Sequence, residues 1–195
     1  MILNRVMISL SLVLILLSGC QEPESRAVQQ TIKNTEVLLS EGGVFPRQFA
    51  GAWVADREGW EFLLNPDGSI EVGIMTIGRV PAKPGQTTQV PLAEEGMGLV
   101  EAGKWSVQYT RSSRELAVEI ILNRFTFLKG SDIVEGSSRD LFVGRVSKDG
   151  KTWTAEWISQ PKYVVSTATQ SQVDLPVEEE NQAMGTVVFT HVGGN

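Results

Sequence analysis

Apolar and polar residues alternate with a period of two through most of this chain, and this alternation constrains its fold more than any other feature. Every second residue from Trp60 to Leu64 is apolar, and the alternation resumes from Ile70 to Ile74 after an Asn-Pro-Asp-Gly sequence at 65–68. A period of two is that of a β-strand, whose side chains point alternately to its two faces. An Asp-Gly pair readily adopts the positive φ angles of a tight turn. The segment therefore predicts a β-hairpin.

The same pattern recurs along the chain between further turn sequences, at 111–114 and at 148–151. After Asn123-Arg124 the apolar positions change from even to odd numbers, which predicts a β-bulge there. Trp53, Trp105 and Ile120 occupy apolar positions in separate strands and are expected in one buried core. Eight strands are expected, near residues 49–54, 59–64, 69–79, 103–110, 115–128, 139–147, 152–158 and 185–192.

These segments predict an all-β fold, an antiparallel meander of about eight strands that forms a barrel or a sandwich over residues 47–195. Tight turns join most strands, and no helical crossover for parallel strands is expected. The interior of an eight-stranded barrel is filled by side chains or holds one small ligand. Two long loops are expected, at 81–98 and at 160–183, as a functional rim or lid or as solvated insertions.

The amino terminus has the layout of a secretory signal peptide. One positive charge at Arg5 precedes an apolar run from Val6 to Leu17, and small residues follow. A helix of this run would rise about 18 Å, against about 30 Å for the hydrocarbon core of a bilayer, so it is too short to span a membrane. Residues 1–19 are therefore expected to be a signal peptide.

The four residues Leu17-Ser18-Gly19-Cys20 at the end of this run resemble the lipobox of bacterial lipoproteins. The resemblance implies cleavage before Cys20 and attachment of acyl chains such as palmitate to its thiol, which would anchor the chain to the lipid bilayer. The residue after the cysteine is Gln21. In enterobacterial lipoproteins an Asp at this position resembles a signal for retention in the inner membrane, and this chain does not have it. In a host with two membranes, the resemblance favours the outer membrane, facing the periplasm.

Residues 20–46 are expected to form a tether with one short helix. The apolar residues Val28, Ile32 and Leu39 have a spacing that fits one helical face, and no aromatic residue occurs in the tether before Phe45. Such a segment would hold the following domain away from the lipid.

Composition excludes several classes of protein. The formal net charge is −6, so no basic surplus exists to neutralise the phosphates of a nucleic acid. One His and one Cys exclude a multi-cysteine zinc site, a disulfide framework and a Cys-His catalytic pair. No glycine-rich phosphate loop follows a strand and opens a helix. No cofactor and no metal are expected.

The first expected strand carries a Gly-x-Trp sequence, Gly51-Ala52-Trp53, and the 60–68 hairpin follows it. Together they resemble the opening of bacterial lipocalin-like lipoproteins. The resemblance implies a β-barrel that binds a small apolar ligand or a protein partner, with Trp53 closing one end of the barrel. The chain differs from true lipocalins in having no cysteine pair, no evident helix after the last strand and no second motif between the middle strands.

Four tryptophans in alternating strands are the candidate ligand-binding residues: Trp60, Trp105, Trp153 and Trp157. An inward-facing indole can stack on an apolar or sugar ligand. The other interpretation of these residues is packing in the core of the domain.

The candidate catalytic residues are few. His191 is the single histidine and has no triad partners that chain order would identify. Asp56, Glu58 and Glu61 surround a turn, where they are either solvated charges or a carboxylate pair for acid/base chemistry. The sequence therefore predicts no enzymatic activity.

These observations predict a non-enzymatic, membrane-anchored lipoprotein of the cell envelope whose β-barrel binds a small apolar ligand or an envelope protein. The alternatives are a structural or assembly lipoprotein without a ligand cavity and an envelope hydrolase. A cavity of several hundred Å³ would favour ligand binding, a filled core would favour the scaffold, and carboxylates converging in a cleft would favour the hydrolase.

Overall fold

The structure is a computed structural model that describes residues 27–75, 79–91, 97–129, 132–167, 179–180 and 182–192. These residues form fourteen β-strands, and the only helical piece among them is a three-residue 3-10 turn, Arg47–Phe49. The strands are β1 (Val28–Ile32), β2 (Thr35–Leu39), β3 (Gly51–Ala55), β4 (Glu61–Leu64), β5 (Ile70–Ile74), β6 (Pro81–Ala82), β7 (Thr87–Pro91), β8 (Met97–Ala102), β9 (Trp105–Thr110), β10 (Glu115–Lys129), β11 (Asp132–Val146), β12 (Thr152–Thr167), β13 (Glu179–Glu180) and β14 (Ala183–Val192).

The strands pair into one curled sheet that forms a half-barrel. Their order in the sheet is β1-β2-β9-β10-β11-β12-β14-β3-β4-β5-β6. β8 pairs with β10 and with β7, and β13 pairs with β12. The prediction of an all-β, barrel-like fold is confirmed. The strand number is higher than the eight expected, because β1, β2, β6, β7, β8 and β13 are short strands in which alternation is weak.

The predicted turns and the predicted bulge are confirmed. The β4–β5 and β11–β12 turns place Gly68 and Gly150 at φ angles of +87° and +71°, which a glycine adopts without steric cost. In β10 the pairing register shifts between Leu122 and Phe125 against β11 and between Leu122 and Arg124 against β8. The extra residue changes which face the following side chains occupy.

The helix expected in the tether is absent from the described residues, and the prediction of a tether is wrong from residue 28 onward. β1 and β2 form a hairpin there, and Val37, Leu39 and Phe45 are buried in the core. Positions 37 and 39 follow the period of two of a strand. The prediction instead used the spacing of Val28, Ile32 and Leu39, which also fits a helix. The rest of the expected tether, 20–26, lies outside the described residues.

One pair of strands is parallel, which the sequence did not predict. β2 pairs with β9 in the same direction, with Thr35 opposite Trp105 and Leu39 opposite Tyr109. A parallel pair needs a long crossover. Here the crossover consists of the chain from β3 to β8, so no helix is required for it.

The two long loops are also shorter than expected. Half of 81–98 forms β6, β7 and part of β8, and β7 and β8 form a hairpin. Strand β12 continues to Thr167, well into the loop expected at 160–183. Residues 83–86 form the turn between β6 and β7, and residues 92–96, 168–178 and 181 of the expected loops lie outside the described residues.

Large aromatic side chains fill the core at one end of the curled sheet. Trp53, Trp105 and Ile120 are fully buried, as predicted. The indole N–H of Trp53 donates to the carbonyl oxygen of Phe49 at 2.9 Å. Its ring lies edge-on to Trp153, with the ring centroids 6.4 Å apart. These contacts leave this end of the sheet packed.

Candidate functional site

A cavity of about 570 Å³ lies at the other end of the curled sheet. One wall is formed by the long strands β10, β11 and β12, with β8 paired to β10 and β7 paired to β8, and the facing wall by residues around β4 and β5. A cavity of this volume lies within the range of small-molecule sites, which is about 300–1,000 Å³.

The long strands create the cavity because they extend beyond their neighbours in the packed half. β10 pairs with β9 only from Glu115 to Glu119 and pairs with β8 from Leu122 onward, across the bulge. The bulge lets Leu122 before it and Phe125 after it both line the cavity, although the positions have opposite parity. A regular strand would have directed one of them to the outer face.

Most of the side chains in the wall are apolar or aromatic. Trp60 lies on one side of the cavity, and Trp157, Tyr163 and Phe127 lie on the long strands. Trp157 stacks on the buried Phe142 with the ring planes 14° apart. This packing fixes the orientation of the indole that faces the cavity.

Asp140 is the most unusual residue of the wall, because only 3% of it is exposed. The indole N–H of Trp157 donates to its Oδ1 at 3.1 Å, and the hydroxyl of Ser138 donates to its Oδ2 at 2.5 Å. The side chain of Ser159 also hydrogen-bonds to this carboxyl group. Three neutral groups therefore hold the carboxyl in one orientation.

Burial raises the pKa of Asp140 above its ordinary value of 3.8. The hydrogen bonds with Ser138, Ser159 and Trp157 favour the ionised form and act in the opposite direction. The net shift is upward because removing a carboxylate from water costs more than these neutral partners return.

The cavity is acidic as well as apolar. Its nineteen described lining residues include three acids, Glu58, Asp132 and Asp140, and no Lys, Arg or His. Arg124 of β10 and Arg139 of β11 pair with other acids, since Arg139 contacts Glu119 at 2.5 Å and Arg124 contacts Glu135 at 3.1 Å. Among the described lining residues, a positive group that enters the cavity therefore meets only negative charge.

The four candidate tryptophans fall into two pairs. Trp60 and Trp157 line the cavity, whereas Trp105 and Trp153 do not. The indole N–H of Trp105 donates to the carbonyl oxygen of Ile121 at 2.9 Å. Trp153 stacks on Phe189 with the ring centroids 4.6 Å apart. Trp105 and Trp153 are therefore core residues. The period-two pattern cannot distinguish them from Trp60 and Trp157.

Asp140 was not among the predicted site residues, although the sequence carries a signal for it. Asp140 has the same parity as Phe142 and Val146 in β11, and both of these are buried. An acid at an inward position of a strand is unusual, because a buried carboxylate needs partners. Its own neighbours in the sequence, Arg139 and Leu141, do not reveal which partners it has.

The remaining candidate residues make contacts within the fold. His191 stacks on Trp53, with its Nε2 3.0 Å from the carbonyl oxygen of Ala50. The Oδ1 of Asp56 accepts a hydrogen bond from the backbone N–H of Val188 at 3.0 Å. Glu61 pairs with Arg79. Glu58 alone of the three acids near that turn lines the cavity.

Three further observations bear on the site. Among the described residues, no three or more His, Cys, Asp or Glu side chains are grouped so as to hold a metal ion. No helix in the described part of the chain has the length and apolar character needed to cross a bilayer. Cys20, the candidate lipidation residue, lies outside the described residues.

In comparisons with protein-family models, with curated proteins and with solved structures, no match to the chain was found.

The raised pKa of Asp140 predicts how stability depends on pH. The folded state holds the Asp140 proton more tightly than the unfolded state, so this group's contribution to stability falls as the pH rises from 3.8 to the raised pKa. Asp140→Asn removes this contribution. The variant should therefore gain stability relative to the wild-type protein as the pH rises through that window, as measured by urea unfolding at a series of pH values.

Asp149→Asn is the matched control. A hydrogen bond from Ser147 lowers the pKa of Asp149, so this variant should lose stability relative to the wild-type protein as the pH rises. The other titratable groups in the cavity wall, Glu58, Asp132 and Tyr163, are unchanged in both variants. Stability differences between Asp140→Asn and the wild-type protein that stay constant with pH would contradict the assignment.

Proposed function

We propose that this chain is a non-enzymatic, membrane-anchored lipoprotein of the cell envelope that binds a small, largely apolar ligand in the cavity between β10–β12 and the facing strands. The observation that carries the proposal is the cavity itself. It has a volume of about 570 Å³ and a wall made mostly of apolar and aromatic side chains. A few fixed polar groups in an apolar wall are typical of small-molecule sites.

The cavity favours ligand binding over the scaffold alternative. A scaffold lipoprotein that works through its outer face has no need of a hollow interior, and protein interiors otherwise pack to a high density. The packed half of the same sheet shows that this chain can fill its core with Trp53, Trp105 and Trp153. The hollow half lies where the sequence instead places Asp140 and two serines.

The lipocalin-like resemblance agrees with this function, since it implies a β-barrel with a ligand in its interior. Entry beside the β7–β8 hairpin is part of the proposal. Val80, just before β6, Val90 of β7 and Val100 of β8 all line the cavity. This is the side of the domain on which the sequence predicted a rim, although the rim consists of strands where a loop was expected.

The membrane anchor rests on the amino-terminal sequence. Leu17-Ser18-Gly19-Cys20 follows a short apolar run, and a cysteine that carries two or three acyl chains is stably anchored. Under this proposal the lipidated Cys20 lies close to the bilayer, in the outer membrane where the host has two. The cavity-bearing domain then faces the periplasm.

A cavity-filling variant tests ligand binding. Val134 is buried in the cavity wall, whereas Ile133 precedes it on the other face of β11. The wild-type protein should bind the neutral apolar dye N-phenyl-1-naphthylamine saturably, as measured by fluorescence. Val134→Phe should weaken binding about tenfold because its ring occupies the cavity.

Ile133→Phe is the matched control and should bind the dye as the wild-type protein does, with thermal melting used to show that both variants are folded. Equal affinity of the two variants for the dye would show that the dye binds outside this cavity. Absence of saturable binding by the wild-type protein would contradict the ligand-binding proposal and favour the scaffold.

Processing of the precursor tests the anchor. Cys20→Ser removes the thiol to which a diacylglycerol is attached, so the precursor should keep residues 1–19 and remain without lipid. Ser25→Ala, five residues later, should be processed as the wild-type chain is. Intact-mass measurement of membrane fractions distinguishes the forms. An unmodified Cys20 thiol in the wild-type protein would contradict the proposal.

A further inference from the structure

We infer that the ligand of this cavity is an apolar cation, an amine or a quaternary ammonium compound, whose positive group lies beside the carboxylate of Asp140. The inference rests on the proposed function and adds to it the charge and the orientation of the ligand. It follows from three properties of the wall: its charge, the hydrogen bonds of Asp140 and its aromatic rings.

The charge of the wall selects against an anion. Glu58, Asp132 and Asp140 are all acids, and no basic residue is present among the described residues that line the cavity. A fatty acid or another organic anion would bring a fourth negative group into an apolar space, where charges are poorly screened. A cation is attracted by the same groups.

The hydrogen bonds of Asp140 leave a place for a positive partner. The indole N–H of Trp157 can only donate, so the Oδ1 of Asp140 is an acceptor in this contact. The hydroxyls of Ser138 and Ser159 are also neutral. These groups orient the carboxylate without neutralising its charge, and a buried carboxylate is stabilised most by a paired cation.

The aromatic rings supply the rest of a cation site. Trp60, Trp157, Phe125, Phe127 and Tyr163 line the same cavity. The faces of such rings carry negative electrostatic potential and attract ammonium groups. The Trp157 indole is held by Asp140 at one edge and stacks on Phe142, so a π system lies next to the carboxylate.

Aliphatic side chains elsewhere in the wall suit an apolar body. Val90, Val100, Leu122 and Val134 line the wall and carry no polar side-chain atoms. A ligand with a positive group and a compact hydrocarbon body therefore matches both the carboxylate of Asp140 and this apolar lining. Burial of the hydrocarbon supplies affinity, and the pairing with Asp140 supplies specificity.

Three probes with the same aromatic body and different charges test the inference: 1-naphthylmethylammonium, 1-naphthylmethanol and 1-naphthoate. Each is titrated at neutral pH against the folded wild-type domain by calorimetry. We expect the cation to bind at least about tenfold more tightly than the alcohol, which corresponds to about 1.4 kcal/mol. We expect the carboxylate to bind most weakly.

Asp140→Asn separates a charge effect from a shape effect, because Asn has nearly the same shape and keeps an acceptor for the Trp157 N–H. The variant should lose about tenfold in affinity for the ammonium probe and bind the alcohol as before. Asp132→Asn is the matched control. Asp132 lines the same cavity but is more exposed, so solvent screens its charge and the loss should be smaller.

The outcomes distinguish this inference from the function on which it rests. Equal affinities for the three probes, or tightest binding of 1-naphthoate, would overturn the cation assignment and leave a ligand-binding cavity. Loss of alcohol binding as large as the loss of ammonium binding in Asp140→Asn would also overturn it. No saturable binding of any probe or of the neutral dye would contradict the proposed function itself.

Discussion

The register shift in β10 between Leu122 and Phe125 divides the curled sheet into a packed half and a hollow half. Before the shift, β10 pairs with β9, and Leu116, Val118 and Ile120 are fully buried. From Leu122 onward, β10 pairs with β8, and Leu122, Phe125 and Phe127 line the cavity. The bulge bends the strand and changes the face that each side chain occupies. The position of the cavity depends on this one irregularity.

Phe142 connects the two halves. Its ring lies edge-on to Phe62 and Phe189 in the packed half, with centroid distances of 5.3 and 5.5 Å. It also contacts the rings of Trp60 and Trp157, which line the cavity. Aromatic pairs in these arrangements add to the energy of burial. These contacts join the packed core directly to the wall of the cavity, and Asp140 lies two residues from Phe142 on the same face of β11.

The aromatic packing beside Asp140 matters because the carboxyl group of Asp140 is buried. The cost of burying the Asp140 carboxyl is met only in part by its three neutral partners, so the protein retains a group whose charge is not balanced. In a soft interior the chain would relax until water reached the carboxylate. Here the aromatic cluster maintains the geometry, and an ammonium ligand would supply the missing charge. Under the proposed assignment, the same group reduces stability in the free protein and favours binding of the ligand.

Much of the fold could be predicted from the sequence because alternation and turns are local signals. The Asp-Gly turns at Gly68 and Gly150 and the bulge after Leu122 depend on residues close together in the chain. The parallel pairing of β2 with β9 depends on strands far apart in the sequence, and no local pattern reports it. The short strands β6 and β7 contain prolines and few apolar residues, so they gave no clear alternation.

The candidate site was predicted only in part for a related reason. Trp60 and Trp157 were expected at a ligand and line the cavity, but Trp105 and Trp153 carry the same pattern and pack in the core. The alternation within one strand determines whether a side chain points inward. Whether that side chain faces a cavity or packed core depends on the strands on the opposite side of the sheet. Asp140 belongs to the wall because Trp157 and the two serines are placed around it by pairing between β11 and β12.

The most direct test of this account uses the five tryptophans of the chain as reporters of position. Their indole N–H signals are followed by two-dimensional NMR while 1-naphthylmethylammonium is added, with each signal assigned by substitution. The account predicts that the signals of Trp60 and Trp157 shift with saturation, and that those of Trp53, Trp105 and Trp153 in the packed half stay in place. Saturable binding that shifts the core signals and leaves Trp60 and Trp157 unchanged would contradict it.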